Sequence, residues 1–162
     1  MLNKTHIRDE FDCGEESLTR YLKQFAMQNM RKKLSTCYVH TQEDQHVKAY
    51  YTLSNYVLLK NEIQPTTFPI TVLYDRIPTT LIGKLAVDKT LQNQGVGKRV
   101  LLNALIQSYS IAMFSGSMAV VVEALNENAS KFYKRFGFEL LHDNKYFLPM
   151  KSIEKLLNDQ TN

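Results

Sequence analysis

Apolar positions along the chain change period repeatedly, and each change marks an element. Leu18, Tyr21, Leu22, Phe25, Ala26 and Met30 recur at helical spacing, so a helix is predicted from just after the turn-forming Phe11-Asp12-Cys13-Gly14 to Lys33. Glu15 and Glu16 in its first turn, and Arg31, Lys32 and Lys33 at its end, suit the helix dipole. Residues 35–39 and 47–59, rich in Tyr, Val and Leu, read as the two strands of a hairpin turning at 42–45. Residues 61–77 read as an irregular excursion, because Pro65, Pro69 and Pro78 interrupt any continuous element. Residues 81–87 then form an apolar run that only a covered sheet would accept. A helix is predicted from about Val96, with Val100, Leu101, Ala104, Leu105, Ile111 and Ala112 on its inner face. Residues 118–123 are a second buried strand, Ala129, Phe132, Tyr133 and Phe136 mark a short amphipathic helix stopped by Gly137, and 138–141 and 145–150 close as strands. Ile153, Leu156 and Leu157 suggest a last helical turn. A meander followed by alternating strands and helices implies an α/β (α+β) fold: a mixed, mostly antiparallel twisted sheet with helices on both faces, in one domain spanning 1–162.

Composition narrows the class without changing that picture. A chain of 162 residues, 44% hydrophobic and 22% charged, can bury a sizeable core without disulfides or metal. Cys13 and Cys37 are far apart, with no paired cysteines and no histidine cluster, so no metal is expected. The sequence has neither an apolar run of membrane-spanning length nor a basic-then-apolar leader, which gives the expectation of a cytoplasmic protein with no membrane partner. A formal charge of +4 is a mild bias toward anionic partners.

The chemistry concentrates where the 81–87 strand breaks into a polar loop. Strand, glycine loop and helix aim unpaired backbone N–H groups at an anion, with the partial positive charge of the helix start behind them. Gly95 and Gly97 allow close approach, and the cations Lys98 and Arg99 in the first helical turn would be relieved by a bound anion. A Walker A loop is excluded, because Gln92 stands where its first glycine belongs and Arg99 where its Ser or Thr belongs. The dinucleotide fingerprint is excluded by Val100 in place of its third glycine.

What remains, Gln92-x-x-Gly95-x-Gly97, is followed downstream by Asn126-x-x-Ala129-x-x-Phe132-Tyr133-x-x-x-Gly137-Phe138. Together the two motifs resemble the GNAT N-acetyltransferases. The segments FDCGEESLTRYL and LIGKLAVD are similar to a narrower branch, the toxins of bacterial toxin–antitoxin pairs that acetylate the amino acid on charged tRNA. This resemblance implies acetyl-CoA as co-substrate, with the backbone of Leu85, Ala86 and Val87 pairing with the pantetheine arm. Gln92, Asn93, Gln94, Gly95, Val96, Gly97, Lys98 and Arg99 would wrap the pyrophosphate, and Asn126 would help hold the arm. Tyr133 would sit beside the thioester sulfur as general acid. The resemblance also implies a ribbon-helix-helix antitoxin and a homodimer.

Proton bookkeeping gives these roles chemical sense. A thiolate leaving group, whose thiol has a pKa of about 8.5, can take a proton from a phenol of pKa about 10 that is itself un-ionised at neutral pH. No general base stands out among Glu123, His142 and His40. An α-amine of pKa about 7.7–8.0 is partly neutral at physiological pH, unlike a lysine near 10.4, so aminoacyl-tRNA could react with water as proton acceptor. Small amines of low pKa satisfy the same argument. Lys23, Arg31, Lys32 and Lys33, with Lys98, Arg99, Lys131, Lys134 and Arg135, are candidates for a basic rim that meets tRNA phosphates; helix-end complementation explains the 31–33 triplet equally well. The leading expectation is an N-acetyltransferase toxin acting on aminoacyl-tRNA. Its alternatives are a GNAT enzyme for a small amine, peptide or protein lysine, and a catalytically silent acyl-CoA-binding or antitoxin-binding module.

Overall fold

A computed structural model describes residues 1–42, 44–63 and 74–159. Its strands are β1 (Thr36–Thr41), β2 (Val47–Leu59), β3 (Arg76–Val87), β4 (Ala119–Glu123), β5 (Glu139–His142) and β6 (Lys145–Pro149). Its helices are α1 (Glu16–Arg20), α2 (Ala26–Arg31), α3 (Val96–Ser115), α4 (Glu127–Arg135) and α5 (Met150–Asp159). The strands form a mixed, mostly antiparallel sheet in the order β1-β2-β3-β4-β6-β5, flanked by helices, as the sequence pattern predicts. Strand β1 pairs antiparallel with β2, β4 with β6 and β5 with β6.

Internal contacts group the chain into two compact units, Met1–Ser54 with Ile82–Ala104, and Asn55–Leu81 with Leu105–Asn162. The first is cored by Phe11, Tyr21, Leu22, Cys37, Val47 and Tyr50. Its aromatic centre is specific: the Phe11 ring meets Tyr50 edge-on at 5.6 Å, and the Tyr50 hydroxyl donates to the Leu18 carbonyl at 2.7 Å, so a buried phenol is satisfied. Burial pushes the Cys37 thiol up to about 12, which marks it as packing material. The second unit is cored by Leu58, Ile77, Ala119, Val121, Leu141 and Phe147, drawn from alternating positions of its strands.

Three expectations need correction. The first helix is not one uninterrupted stripe, because a π turn at Tyr21–Phe25 separates α1 from α2, with the Ala26 N–H donating to the Tyr21 carbonyl five residues back. Tyr21, Leu22 and Ala26 are buried as that stripe predicts, but Phe25 is turned outward, where the Arg20 guanidinium lies 5.5 Å from its ring centre. Strand β3 begins at Arg76, inside the irregular excursion expected over 61–77, and runs uninterrupted through Pro78. Proline is tolerated there because its fixed φ suits extended backbone, and its carbonyl still accepts the Met118 N–H at 2.9 Å. Pro65 and Pro69 lie outside the described residues. Finally, α5 is ten residues long rather than a single turn, with Ile153 fully buried.

Candidate functional site

The polar loop after β3 is built as an anion cradle. Helix α3 opens with an intrahelical bond from the Arg99 N–H to the Gly95 carbonyl at 3.2 Å, so the N–H groups of Val96, Gly97 and Lys98 precede the first available helical acceptor. Gly95 has φ +76° with no atom within 4 Å of where a Cβ would stand, and Asn93 has φ +60°, which asparagine tolerates better than most residues. The residues present therefore fit a pyrophosphate: left-handed turns, an open approach and a helix start. Ala86 and Val87 at the end of β3 are buried and Leu85 is half-buried.

A second segment fixes this loop, and sequence reasoning missed it. Asp88 is only 3% exposed; its carboxylate accepts the Asp12 N–H at 3.1 Å, the Thr90 N–H at 3.0 Å and the Thr90 hydroxyl at 2.6 Å. Burial works to raise its pKa, but the Thr90 and Asp12 hydrogen bonds and the Lys48 charge outweigh it and hold Asp88 below the ordinary carboxylate range. Lys89 returns the contact: its N–H donates to the Asp12 carbonyl and its ammonium to the Asp12 carboxylate, each at 2.8 Å. The Gln92 side-chain amide donates to the carbonyls of Cys13, at 2.8 Å, and Val87, at 2.9 Å. Gln92 thus closes a clasp between the Asp12–Gly14 turn and the loop. The FDCG and LAVD segments are visible in the sequence, but their pairing across 76 residues is not.

Tyr133 lies in the second unit, on α4. Asn126 caps that helix, its Oδ1 accepting the Ala129 N–H at 2.9 Å, and Gly137 at φ +83° ends it, with its N–H on the Lys134 carbonyl at 3.0 Å. The Tyr133 ring is 7% exposed and packs 5.4 Å from the rings of both Phe132 and Phe138. Its hydroxyl has no hydrogen-bond partner among the described residues. Burial pushes its pKa above the ordinary tyrosine value, so the phenol remains a proton donor throughout the physiological range.

The family model of the acetyltransferase (GNAT) domain matches residues 33–140. This chain belongs to the GNAT acetyltransferase family. Over 157 residues it is 32% identical to a tRNA-acetylating toxin of Mycobacterium tuberculosis (strain ATCC 25618 / H37Rv), covering 92% of this chain and 89% of that protein. The solved structure of AtaT complexed with acetyl-methionyl-tRNAfMet superposes with a TM-score of 0.84 at 32% identity, covering 96% of this chain and 94% of that one. A tyrosine-to-phenylalanine mutant of AtaT, bound to the C-terminus of the antitoxin AtaR and to acetyl-CoA, gives a TM-score of 0.79 at 32% identity, with 94% and 91% covered. The chain is closely related to these tRNA-acetylating toxins.

Within the GNAT chain the structure brings Leu85, Ala86, Val87 and the 92–99 loop together in the first unit with the Asp12–Gly14 turn. In the second unit Asn126 caps α4, and Tyr133, Lys134 and Arg135 lie on it. Arg31, Lys32 and Lys33 are exposed at the end of α2, where Lys33 takes φ +58° and donates its N–H to the Met30 carbonyl; Lys23 is half-buried. Lys131 is held by Glu127 at 2.9 Å. His142 is poorly suited as a base, because Asp143 at 3.1 Å and Glu62 at 3.0 Å engage both ring nitrogens and raise its pKa. The charge excess is uneven: by sequence the first unit holds 12 Lys+Arg against 8 Asp+Glu, and the second 8 against 8. No group of His, Cys, Asp and Glu able to hold a metal occurs among the described residues, and no helix there is long and apolar enough to cross a membrane.

Proposed function

We propose that this GNAT protein is the toxin of a toxin–antitoxin pair and transfers the acetyl group of acetyl-CoA directly to the α-amine of aminoacyl-tRNA, with Tyr133 as general acid. The observation that carries the reading is Tyr133 itself: a buried phenol at the position the family motif assigns to the acid, held protonated, with a hydroxyl that makes no hydrogen bond among the described residues. Similarity over nearly the whole chain to proteins named as tRNA-acetylating supports the acceptor, and the acetyl-CoA complex of AtaT supports the donor.

Acetyl-CoA, when bound, supplies an activated thioester. The residues of this chain do the rest. The N–H groups of the α3 start and the turn around Gly95 hold the pyrophosphate, and the clasp through Asp88 and Gln92 keeps that turn in shape. The β3 backbone at Leu85, Ala86 and Val87 aligns the pantetheine arm. Tyr133 gives its proton to the departing thiolate, so that charge does not accumulate on sulfur. His142 stays out of the proton path because both its nitrogens are engaged by carboxylates; the attacking α-amine, already partly neutral, loses its proton to water. The blocked amine cannot enter a peptide bond, so translation stops.

The AtaT–AtaR complex supports an antitoxin partner, and we infer a ribbon-helix-helix protein in that role, a homodimeric toxin and a cytoplasmic location where charged tRNA is found. The test is coenzyme A release, followed as free thiol, with charged tRNA and with the same tRNA after deacylation. Release with the charged form alone is expected. Equal release with both, or with neither while a small amine or a lysine peptide is consumed, would move the enzyme to another acceptor.

A further inference from the structure

Where the Tyr133 hydroxyl points depends on how α4 is seated, because that hydroxyl makes no hydrogen bond of its own among the described residues. The rings of Phe132 and Phe138 pack against Tyr133, but apolar contact is non-directional and tolerates small rotations of a nine-residue helix. A directional contact comes from one turn earlier. Ser130 Oγ and the Tyr146 hydroxyl share a hydrogen bond at 2.5 Å, the short end of the range for two hydroxyls. Tyr146 is a fixed point: it sits in the middle of β6, paired with Val122 of β4 on one side and Leu140 of β5 on the other, and is 5% exposed. Its ring also takes the Lys134 ammonium, 5.6 Å from the ring centre. One residue of the sheet therefore grips α4 at Ser130 and at Lys134, the two ends of the turn that contains Tyr133. None of the roles above uses this grip.

From this arrangement we infer that Tyr146 is a positioning residue for the general acid: its hydrogen bond to Ser130 fixes the depth and rotation of α4 and so aims the Tyr133 hydroxyl at the thioester sulfur. The inference rests on the reading of Tyr133 as general acid. Tyr146→Phe isolates the contact. It keeps the ring, its packing and the Lys134 contact, and the freed Ser130 hydroxyl can turn to the Asn126 carbonyl four residues back, which already accepts the Ser130 N–H. The variant thus leaves no orphaned polar group and should fold.

The experiment measures single-turnover transfer from acetyl-CoA to charged tRNA, the acceptor of the reading above, beside the steady-state KM for acetyl-CoA. Tyr146→Phe should lower the transfer rate roughly tenfold, a fraction of the about 10²-fold that a misplacement of about 1 Å can cost. The acetyl-CoA KM should stay unchanged, because no residue of the pyrophosphate cradle is touched. Ser130→Ala should match it, and combining the two should cost nothing further, since both remove the same bond. With Tyr133→Phe already in place, Tyr146→Phe should have no effect, which marks a residue acting through the acid and which a general loss of structure would not produce. Circular dichroism confirms folding, and Ser130→Ala carries the same comparison if Tyr146→Phe does not fold. The proposal is overturned by a full transfer rate in the folded variants, by a rise in KM in place of the fall in rate, or by an equal fall in the Tyr133→Phe background. A fully active Tyr133→Phe would refute the general-acid reading itself and this inference with it, so the two failures are told apart.

Discussion

Tyr133→Phe separates chemistry from architecture more cleanly than any other substitution in this chain. The change removes one oxygen. The ring contacts that hold the side chain, at 5.4 Å to Phe132 and to Phe138, are available to phenylalanine, and the hydroxyl has no partner among the described residues whose loss would register. Stability should therefore move by less than about 0.5 kcal/mol, since no hydrogen bond is broken and no buried group is left unsatisfied. Removing a general acid, in contrast, costs roughly 10²–10⁴ in rate, or about 2.7–5.4 kcal/mol of barrier at 1.36 kcal/mol per decade. The assay is single-turnover acetyl transfer to charged tRNA beside thermal unfolding of the same sample, with acetyl-CoA affinity by calorimetry as control. Turnover should fall at least a hundredfold while unfolding and donor affinity hold. A variant within threefold of wild type would remove Tyr133 from the chemistry, and one that unfolded several degrees early would mean the hydroxyl was holding structure.

The clasp, the glycine turn and the ion pairs make further claims. Gln92→Ala removes two hydrogen bonds, to the Cys13 and Val87 carbonyls, and should cost roughly 1–2 kcal/mol in urea unfolding while raising the acetyl-CoA KM more than it lowers kcat. Gly14→Ala places a Cβ 3.3 Å from the Lys89 side chain at φ +88°; a loss of about 1–2 kcal/mol is expected from the left-handed backbone alone, measured by thermal melting against wild type. His142 has a folded pKa raised above its ordinary 6.5, by hydrogen bonds that its ring donates to Asp143 and then to Glu62. Its stabilisation should be full below 6.5 and fade as pH rises through the folded value, so His142→Gln should lose stability at pH 6 and converge on wild type toward higher pH.

The hydrophobic periodicity carried most of the architecture, because buried strands such as 119–123 and amphipathic helices such as α4 leave unambiguous patterns. It failed where backbone chemistry overrides pattern. The π turn at Tyr21–Phe25 interrupts the first helix without any glycine or proline to announce it, and Pro78 sits inside β3 because a strand can dispense with one N–H donor. For the site, the loop and Tyr133 stood out through their motifs. Asp12 and Asp88 did not, since an aspartate that accepts a backbone N–H from 76 residues away looks in sequence like any turn residue.

Whether the acceptor is the amino acid on tRNA can be read from one product. Charged tRNA is incubated with labelled acetyl-CoA and the protein, the ester is cleaved with mild base, and the released material is separated. Labelled N-acetyl-amino acid is the expected product, absent when the α-amine has been chemically blocked beforehand. Label on protein lysines or small amines instead, with none released from tRNA, would contradict the proposed function outright.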